Sequence, residues 1–217
     1  MHGLNQACVT SSPENANEKS ILHNTGRRID KRPFRRGDLW ILGFLLLRLA
    51  VGPTLAAHGT QKLFGWFDGP GLSTTGQFFT VLGFPPGRRH ALMAGLGEMI
   101  SGVLLAAGLA TPAAAAVVVS VMLVAAVTAH NGKGFFAQKG GYEYEFVLAV
   151  GALTLAFTGP GSLSIDALVG FSWSGISWGI PALLAGLVGG GTALLEWRKT
   201  PAQQPATDHV GGKLVSR

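Results

Sequence analysis

Residues Leu39–Ala57 read LWILGFLLLRLAVGPTLAA, with Arg48 as the single charge in the run. A helix needs about 20 largely apolar residues to cross the hydrocarbon core of a bilayer, within a range of about 17–25. The stretch is longer than the ~7–15-residue core of a secretory signal, and no convincing small-x-small cleavage site follows it. It reads as a retained span, and the upstream Arg27-Arg28 pair is not taken as a twin-arginine signal. Four more apolar segments follow it. Ala91–Leu109 holds Glu98 as its only charge, and an Ala110-Thr111-Pro112 turn leads to the uncharged Ala113–Ala129. Tyr142–Thr158 carries Glu143 and Glu145 in its first turn. Ile176–Trp197 contains Gly189-Gly190-Gly191 and reaches Glu196. The expected fold class is an all-α membrane protein, a four-helix transmembrane bundle core with a fifth, C-terminal transmembrane helix.

Composition agrees with that reading. Of 217 residues, 47% are AVILMFWYC and 32 are glycine. Counting glycine and leaving out tyrosine gives about 61% apolar, against about 45–50% in soluble domains. Charged residues are only 13%, about half the usual quarter. Mean hydropathy is +0.35 although both ends are polar. These values exclude a disordered chain, a collagen, a coiled coil and most water-soluble enzymes.

The net charge of +6 is unevenly placed. Lys19, Arg27, Arg28, Lys31, Arg32, Arg35 and Arg36 precede the first span, where basic residues set orientation and meet anionic lipid heads. A nucleic-acid-binding arm would not stand directly before a membrane span, so nucleic acid is not an expected partner. Residues 1–38 read as a disordered basic cytoplasmic tail and residues 200–217 as a second polar tail. The protein is then expected to be a multi-pass membrane protein with its N-terminus in the cytoplasm. The loops at 58–90 and 130–141 face outside, and those at 110–112 and 159–175 face inside. A spanning fifth segment would put Arg198, Lys199, Lys213 and Arg217 outside, against the positive-inside tendency, but its length and uncharged interior favour crossing. Cys8 is the only cysteine, so no intramolecular disulfide or iron–sulfur set can form.

Chemistry is expected where charge survives inside apolar sequence. A guanidinium at mid-bilayer costs on the order of 2.5–3.5 kcal/mol on insertion scales, so Arg48 calls for a partner. Counted from the span ends, Arg48 lies about 13–14 Å deep and Glu98 about 16–17 Å at 1.5 Å per residue. The two are expected to form a buried ion pair, either as a packing device that fixes helix register or as an electrostatic, proton-handling element beside a bound redox molecule.

A second constellation gathers on the opposite face. His58, Gln61 and Lys62 follow the first span. His130, Asn131 and Lys133 end the third, and Tyr142, Glu143, Tyr144 and Glu145 open the fourth. Glu143 and Glu145 are about 200° apart on a helix, so only one faces the bundle. The tyrosines also suit an interfacial belt, and Lys62 and Lys133 suit snorkelling to head groups. The histidines lack the spacing of a helical metal motif, and no metal is expected. The run from Gly65 to Gly71 suggests a tight loop, with neither GxxxxGKS/T nor GxGxxG to cradle a phosphate. Phe78, Phe79, Val81, Leu82 and Phe84 suggest an interfacial stretch covering the bundle, and Gly95, Gly97 and Gly102 allow close helix approach. Catalytic candidates are Arg48, Glu98, His58, Glu143 and Glu145; binding candidates are Gln61, Lys62, His130, Lys133 and Tyr142.

The run Arg48-Leu49-Ala50, then His58-Gly59-x-Gln61-Lys62-Leu63-Phe64-Gly65, resembles the opening of DoxX proteins. Gly97-Glu98, Gly108-Leu109-Ala110-Thr111-Pro112, Lys133-Gly134-Phe135-Phe136 and Gly140-Gly141-Tyr142-Glu143-Tyr144 continue the resemblance. Gly159-Pro160-Gly161-Ser162-Leu163-Ser164-Ile165-Asp166 closes it. It covers residues 39–168, a DoxX-like transmembrane domain, and leaves 169–199 as an additional hydrophobic helix. The resemblance implies an integral membrane protein on a four-helix core. Relatives include small subunits associated with thiosulfate:quinone oxidoreductase and quinol-oxidase complexes, and a mycobacterial protein linked to a membrane complex handling oxidative and thiol stress. Arg48, His58, Gln61, Lys62, Glu98, Glu143 and Glu145 match family positions, none with an established catalytic role.

The leading expectation is a redox-associated subunit of the bacterial inner membrane that meets quinone between its helices. There is no flavin, haem or iron–sulfur motif, so electrons would come from partner redox subunits or a soluble thiol donor. The alternative is a non-catalytic membrane scaffold that docks soluble redox or stress enzymes through the basic leader. A transporter fits less well because no inverted repeat is evident.

Overall fold

The described residues of a computed structural model are 36–199. The expected N-terminal tail, but for its last three residues, and the expected C-terminal tail lie outside them. The described chain forms α1 (Arg36–Phe64), α2 (Gly71–Val81), α3 (Gly87–Ala107), α4 (Thr111–Thr128), α5 (Glu143–Thr158), α6 (Ile165–Leu168) and α7 (Ile176–Lys199), with a 3-10 turn at Ala137–Lys139. Every regular element among the described residues is helical. The all-α membrane bundle read from the sequence is therefore the observed architecture.

Four helices are long and apolar enough to cross a membrane: Leu39–Phe64 within α1, together with α3, α4 and α7. The C-terminal segment is among these four, whereas α5 has only 16 residues. At 1.5 Å per residue α5 covers about 24 Å, short of a hydrocarbon core of about 30 Å. Only 22% of the most apolar window of α1 is buried, and Leu42, Leu46 and Leu49 on its outer side are exposed. A helix apolar outside as well as inside has lipid rather than water around it.

We call the end of the bundle where α1 begins proximal and the other end distal. Helices α1 and α3 run antiparallel with their backbones in direct contact. A Cβ on Gly52 would lie 2.6 Å from the Ala106 nitrogen, and one on Gly59 would lie 2.5 Å from the Met99 nitrogen. The register is thereby fixed: position 52 faces 102–106 and position 59 faces 95–99. Gly95 and Gly102 make the close approach their sequence suggested. Gly97 instead faces Val117 and Val121 of α4. The core between the helices consists of Leu55, Leu105, Val118 and Leu155 with Ala114, Ala115, Ala152 and Ala156, each at most 1% exposed.

Helix α7 packs along α4 and α5 and runs parallel to α4. A Cβ on Gly186 would stand 2.6 Å from Val119 Cβ, and one on Gly190 2.9 Å from Leu123 Cδ2. Near its end, Trp197 donates its indole N–H to the Leu82 carbonyl at 2.5 Å. It also stacks on Phe84 with ring centroids 6.4 Å apart. This contact joins the distal end of α7 to the segment that follows α2.

Two bounds differ from the sequence reading. Helix α1 continues through His58, Gln61 and Lys62 to Phe64, because nothing breaks it before Gly65, which sits at φ +75. Helix α3 begins four residues earlier than expected, at Gly87, and stops at Ala107, where Gly108 adopts φ +65.

Candidate functional site

Polar side chains inside the bundle form two groups, one at each end. At the proximal end Arg48 is 3% exposed. It donates Nε–H to the Leu105 carbonyl at 3.2 Å and Nη2–H to that of Ala106 at 2.7 Å. Its Nη1 donates to the carbonyls of Pro160 at 3.1 Å and Leu163 at 2.5 Å. Leu105 and Ala106 lie in the last turn of α3, where carbonyls lack helical partners and the helix dipole favours a cation. Across the Gly108–Thr111 turn, buried Asp166 accepts from the backbone nitrogens of Ala110 and Thr111 at 2.9 and 3.2 Å, and from the Thr111 hydroxyl at 3.1 Å. Asp166 thus caps α4. A Cβ on Gly108 would lie 2.8 Å from Arg48 Cζ, so this turn has no room for a larger residue.

The expected Arg48–Glu98 pair is not formed. The register set by Gly52 and Gly59 puts Glu98 opposite position 58 and Arg48 opposite position 108. Ten residues, or about 15 Å of helix, separate the two levels. The depth estimate failed because it set Leu39 level with Leu109, whereas the register puts position 109 opposite position 47, some eight residues further along α1. Arg48 instead ties the end of α3 to the 160–163 segment through main-chain carbonyls.

Glu98 pairs instead with Lys62, one turn beyond position 58. Beside them, His130 Nε2 meets Glu145 Oε1 at 2.9 Å, and His130 Nδ1 contacts the Gly140 carbonyl at 2.5 Å. Because that carbonyl can only accept, Nδ1 carries the hydrogen. The Nε2–Oε1 contact then also holds one proton, carried by the imidazolium or by the carboxylic acid. Tyr144 and His58 share a hydrogen bond of 2.7 Å between Oη and Nε2.

Lys62, Glu98, His130 and Glu145 floor a cavity of about 760 Å³, within the usual range of small-molecule sites. Lys62, Glu98, His130, Lys133 and Glu145 supply its charged or titratable groups, with His90 on the α3 side. Its apolar walls include Phe78, Phe79, Leu82 and Phe84 from α2 and the turn after it, Met93 and Ala94 from α3, Val121, Val124 and Ala125 from α4, and Gly189 and Ala193 from α7, with Thr74, Thr75, Ser120 and Thr128 setting hydroxyl residues among them. The second oxygens of Glu98 and Glu145 are buried without a hydrogen-bond partner. An unpaired buried acceptor costs about 1–3 kcal/mol, more when charged.

The distal termini converge as the sequence suggested, but the candidates divide. Glu98, Glu145, Lys62, His130 and Lys133 reach the cavity. Of the two glutamates opening α5, Glu145 faces inward, and Glu143 accepts from the Ala137 backbone N–H at 3.0 Å. Gln61 donates to the Phe67 carbonyl at 3.3 Å and steadies the 65–69 turn. Tyr142 packs edge-on against Phe135 with ring centroids 5.5 Å apart. His58 lies against Tyr144, and Arg48 belongs to the other end. Sequence reasoning missed His90 and the α7 wall. The triple glycine was their only signal, since such a run lets another surface come close.

The fold and this cavity define a multi-pass helical membrane protein. A DoxX profile matches residues 43–131, which include Lys62, Glu98 and His130. Over 128 residues the chain is 32% identical to a Bacillus subtilis (strain 168) protein named "Putative oxidoreductase CatD", a match spanning 59% of this chain and 87% of that protein. The chain belongs to the DoxX family. No solved structure matches it.

Proposed function

We propose that the protein is a quinone-linked subunit of an oxidoreductase complex in the bacterial inner membrane, and that quinone binds in the distal cavity. The observation that carries this reading is the combination of aromatic and aliphatic walls with two carboxylates, each paired to a base and each keeping a buried free oxygen. The walls suit a lipophilic ring and tail, and Lys62, His90 and the hydroxyls of Thr74 and Ser120 in the lining can donate to its two carbonyl oxygens. The name of the Bacillus subtilis relative is consistent with redox work. Quinone takes two electrons and two protons to become quinol. The electrons come from a partner redox subunit carrying a flavin or metal centre. The protons pass through the Lys62–Glu98 and His130–Glu145 pairs. A scaffold that only docks soluble enzymes has no use for buried carboxylates around a cavity. The seven basic residues before the first span support a cytoplasmic N-terminus.

The test is a titration of decylubiquinone into the full chain purified in detergent. Saturable binding is expected, weakened by Phe79→Ala and unchanged by Leu168→Ala at the proximal end. Absence of saturable binding to the wild-type chain overturns the reading.

A further inference from the structure

Most polar side chains lining the cavity are committed within the protein. The Lys62 ammonium is held at Glu98, and the Thr75 hydroxyl donates to the Lys62 carbonyl at 3.5 Å. Thr128 donates to the Val124 carbonyl at 2.8 Å and Lys133 to that of Ala129 at 3.1 Å. His130 spends both ring nitrogens on Gly140 and Glu145. The second oxygens of Glu98 and Glu145 are free but sealed from solvent. His90 on α3 and Ser120 on α4 are different. Neither side chain hydrogen-bonds to any of the described residues, and the polar atoms of both stay open to solvent. Thr74 is also without a hydrogen bond, but it is exposed on α2, where water serves it.

The two uncommitted groups stand at different levels. Gly97 of α3 faces Val117 and Val121, so Ser120 is level with position 96–97, about 10 Å along the bundle from His90. Lys62, held at Glu98, is deeper than His90 by a similar length of α3. The surroundings differ too. The His90 ring packs on Phe84 with centroids 5.3 Å apart, and Phe84 packs on Phe79 at 5.8 Å. Beside Ser120 the lining is aliphatic, with Val121, Val124 and Gly189. We propose that His90 positions the quinone ring, donating an imidazole N–H to one carbonyl oxygen, with the ring beside Phe78 and Phe79 and the tail running toward Ser120. This rests on the quinone reading above and adds which way round the ligand lies and which residue orients it. Imidazole keeps a donor nitrogen whether neutral or charged, so the bond is available in either state. Phe84 is 5% exposed and holds the imidazole against it, so little further ordering of that ring is needed when the ligand arrives. A planar head group gains from aromatic neighbours, and an alkyl tail gains from the aliphatic end.

The experiment is calorimetry of the full chain in detergent with decylubiquinone as the probe, each variant also being melted to report its folding. His90→Phe keeps an aromatic ring on Phe84 and removes the N–H. It is expected to weaken binding about three- to tenfold, the worth of one hydrogen bond, with its unfolding temperature little changed. His90→Gln returns an N–H donor without the ring and is expected to bind more tightly than His90→Phe. Ser120→Ala is expected to cost less than His90→Phe does. If His90→Phe binds as the wild type does, the ring is held by the deeper donors and the inference is overturned, while the quinone reading stands. A glutamine variant no better than the phenylalanine one, or a larger loss at Ser120, overturns it as well. If the wild type does not bind decylubiquinone, the quinone reading itself fails. A measurement that stands without any variant is the infrared spectrum of the bound probe. Its carbonyl stretch is expected below that of the probe in detergent alone, and to move back toward it in His90→Phe; an unshifted band in the wild type overturns the proposal.

Discussion

Arg48 and Lys62 are cations on one helix, fourteen residues apart, and the protein neutralises them by different means. Arg48 has a planar fork of donors, and four main-chain carbonyls from two segments converge on it. Lysine is a point charge and cannot reach all four. Arg48→Lys is therefore expected to lower stability by on the order of 3 kcal/mol, read as a fall in unfolding temperature in detergent. Exchanging the charges of Arg48 and Glu98 should give no recovery over the single changes. Lys62 and Glu98 behave as a pair. Lys62→Met leaves a buried carboxylate alone and should cost on the order of 2 kcal/mol, less than the ~3–5 of a fully buried pair because Lys62 is 28% exposed. Adding Glu98→Gln should return most of that loss. At this scale the sequence told which residues matter better than whom they touch. Charges inside apolar runs are visible in one dimension, whereas Arg48's partners are backbone atoms, which leave no trace in residue identity.

At the scale of elements, the α1–α3 contact depends on hydrogen atoms where other residues carry Cβ. A Cβ on Gly102 would stand 2.5 Å from the Ala56 nitrogen and the Gly52 oxygen. Gly102→Val should separate the helices and cost about 1–3 kcal/mol or more. Gly191, inside the triple glycine of α7, has nothing within 4 Å of its ideal Cβ. Gly191→Ala should be neutral or stabilising by up to about 1 kcal/mol, since alanine is the better helix former. Thermal unfolding of the two variants, side by side, checks both. The existence of the helices was legible from their long apolar runs. Their ends were less so, because His58, Gln61 and Lys62 resemble residues leaving a membrane, yet Lys62 turns inward to a cavity. The glycines of α3 were read as packing residues, but their counterparts Gly52 and Gly59 on α1 were not, since only register shows which small residues face each other.

For the whole molecule, α1 and α7 run in the same direction, from the proximal to the distal end. Fusions at the two termini should therefore report from opposite sides of the membrane. An alkaline phosphatase joined to the C-terminus should be active in the periplasm while a fluorescent protein at the N-terminus matures in the cytoplasm; both on one side would contradict the crossing by α7. The cavity as a whole was only half legible. Its charged floor could be listed from sequence, but its walls come from four helices far apart in the chain, and only packing assembles them.

Between the two polar groups lies a band with a further consequence. No residue within 49–57, 99–107, 112–129, 146–158 or 167–195 has an ionisable side chain. A hydrogen ion released or taken up at Glu98 or Glu145 has no ionisable side chain to carry it toward Arg48 and Asp166 through these stretches of the described helices. In the proposed chemistry the traffic is one-sided. Every proton that quinone gains is drawn from the compartment bordering the distal face, so of the two compartments it is that one whose acidity enters the potential of the bound couple.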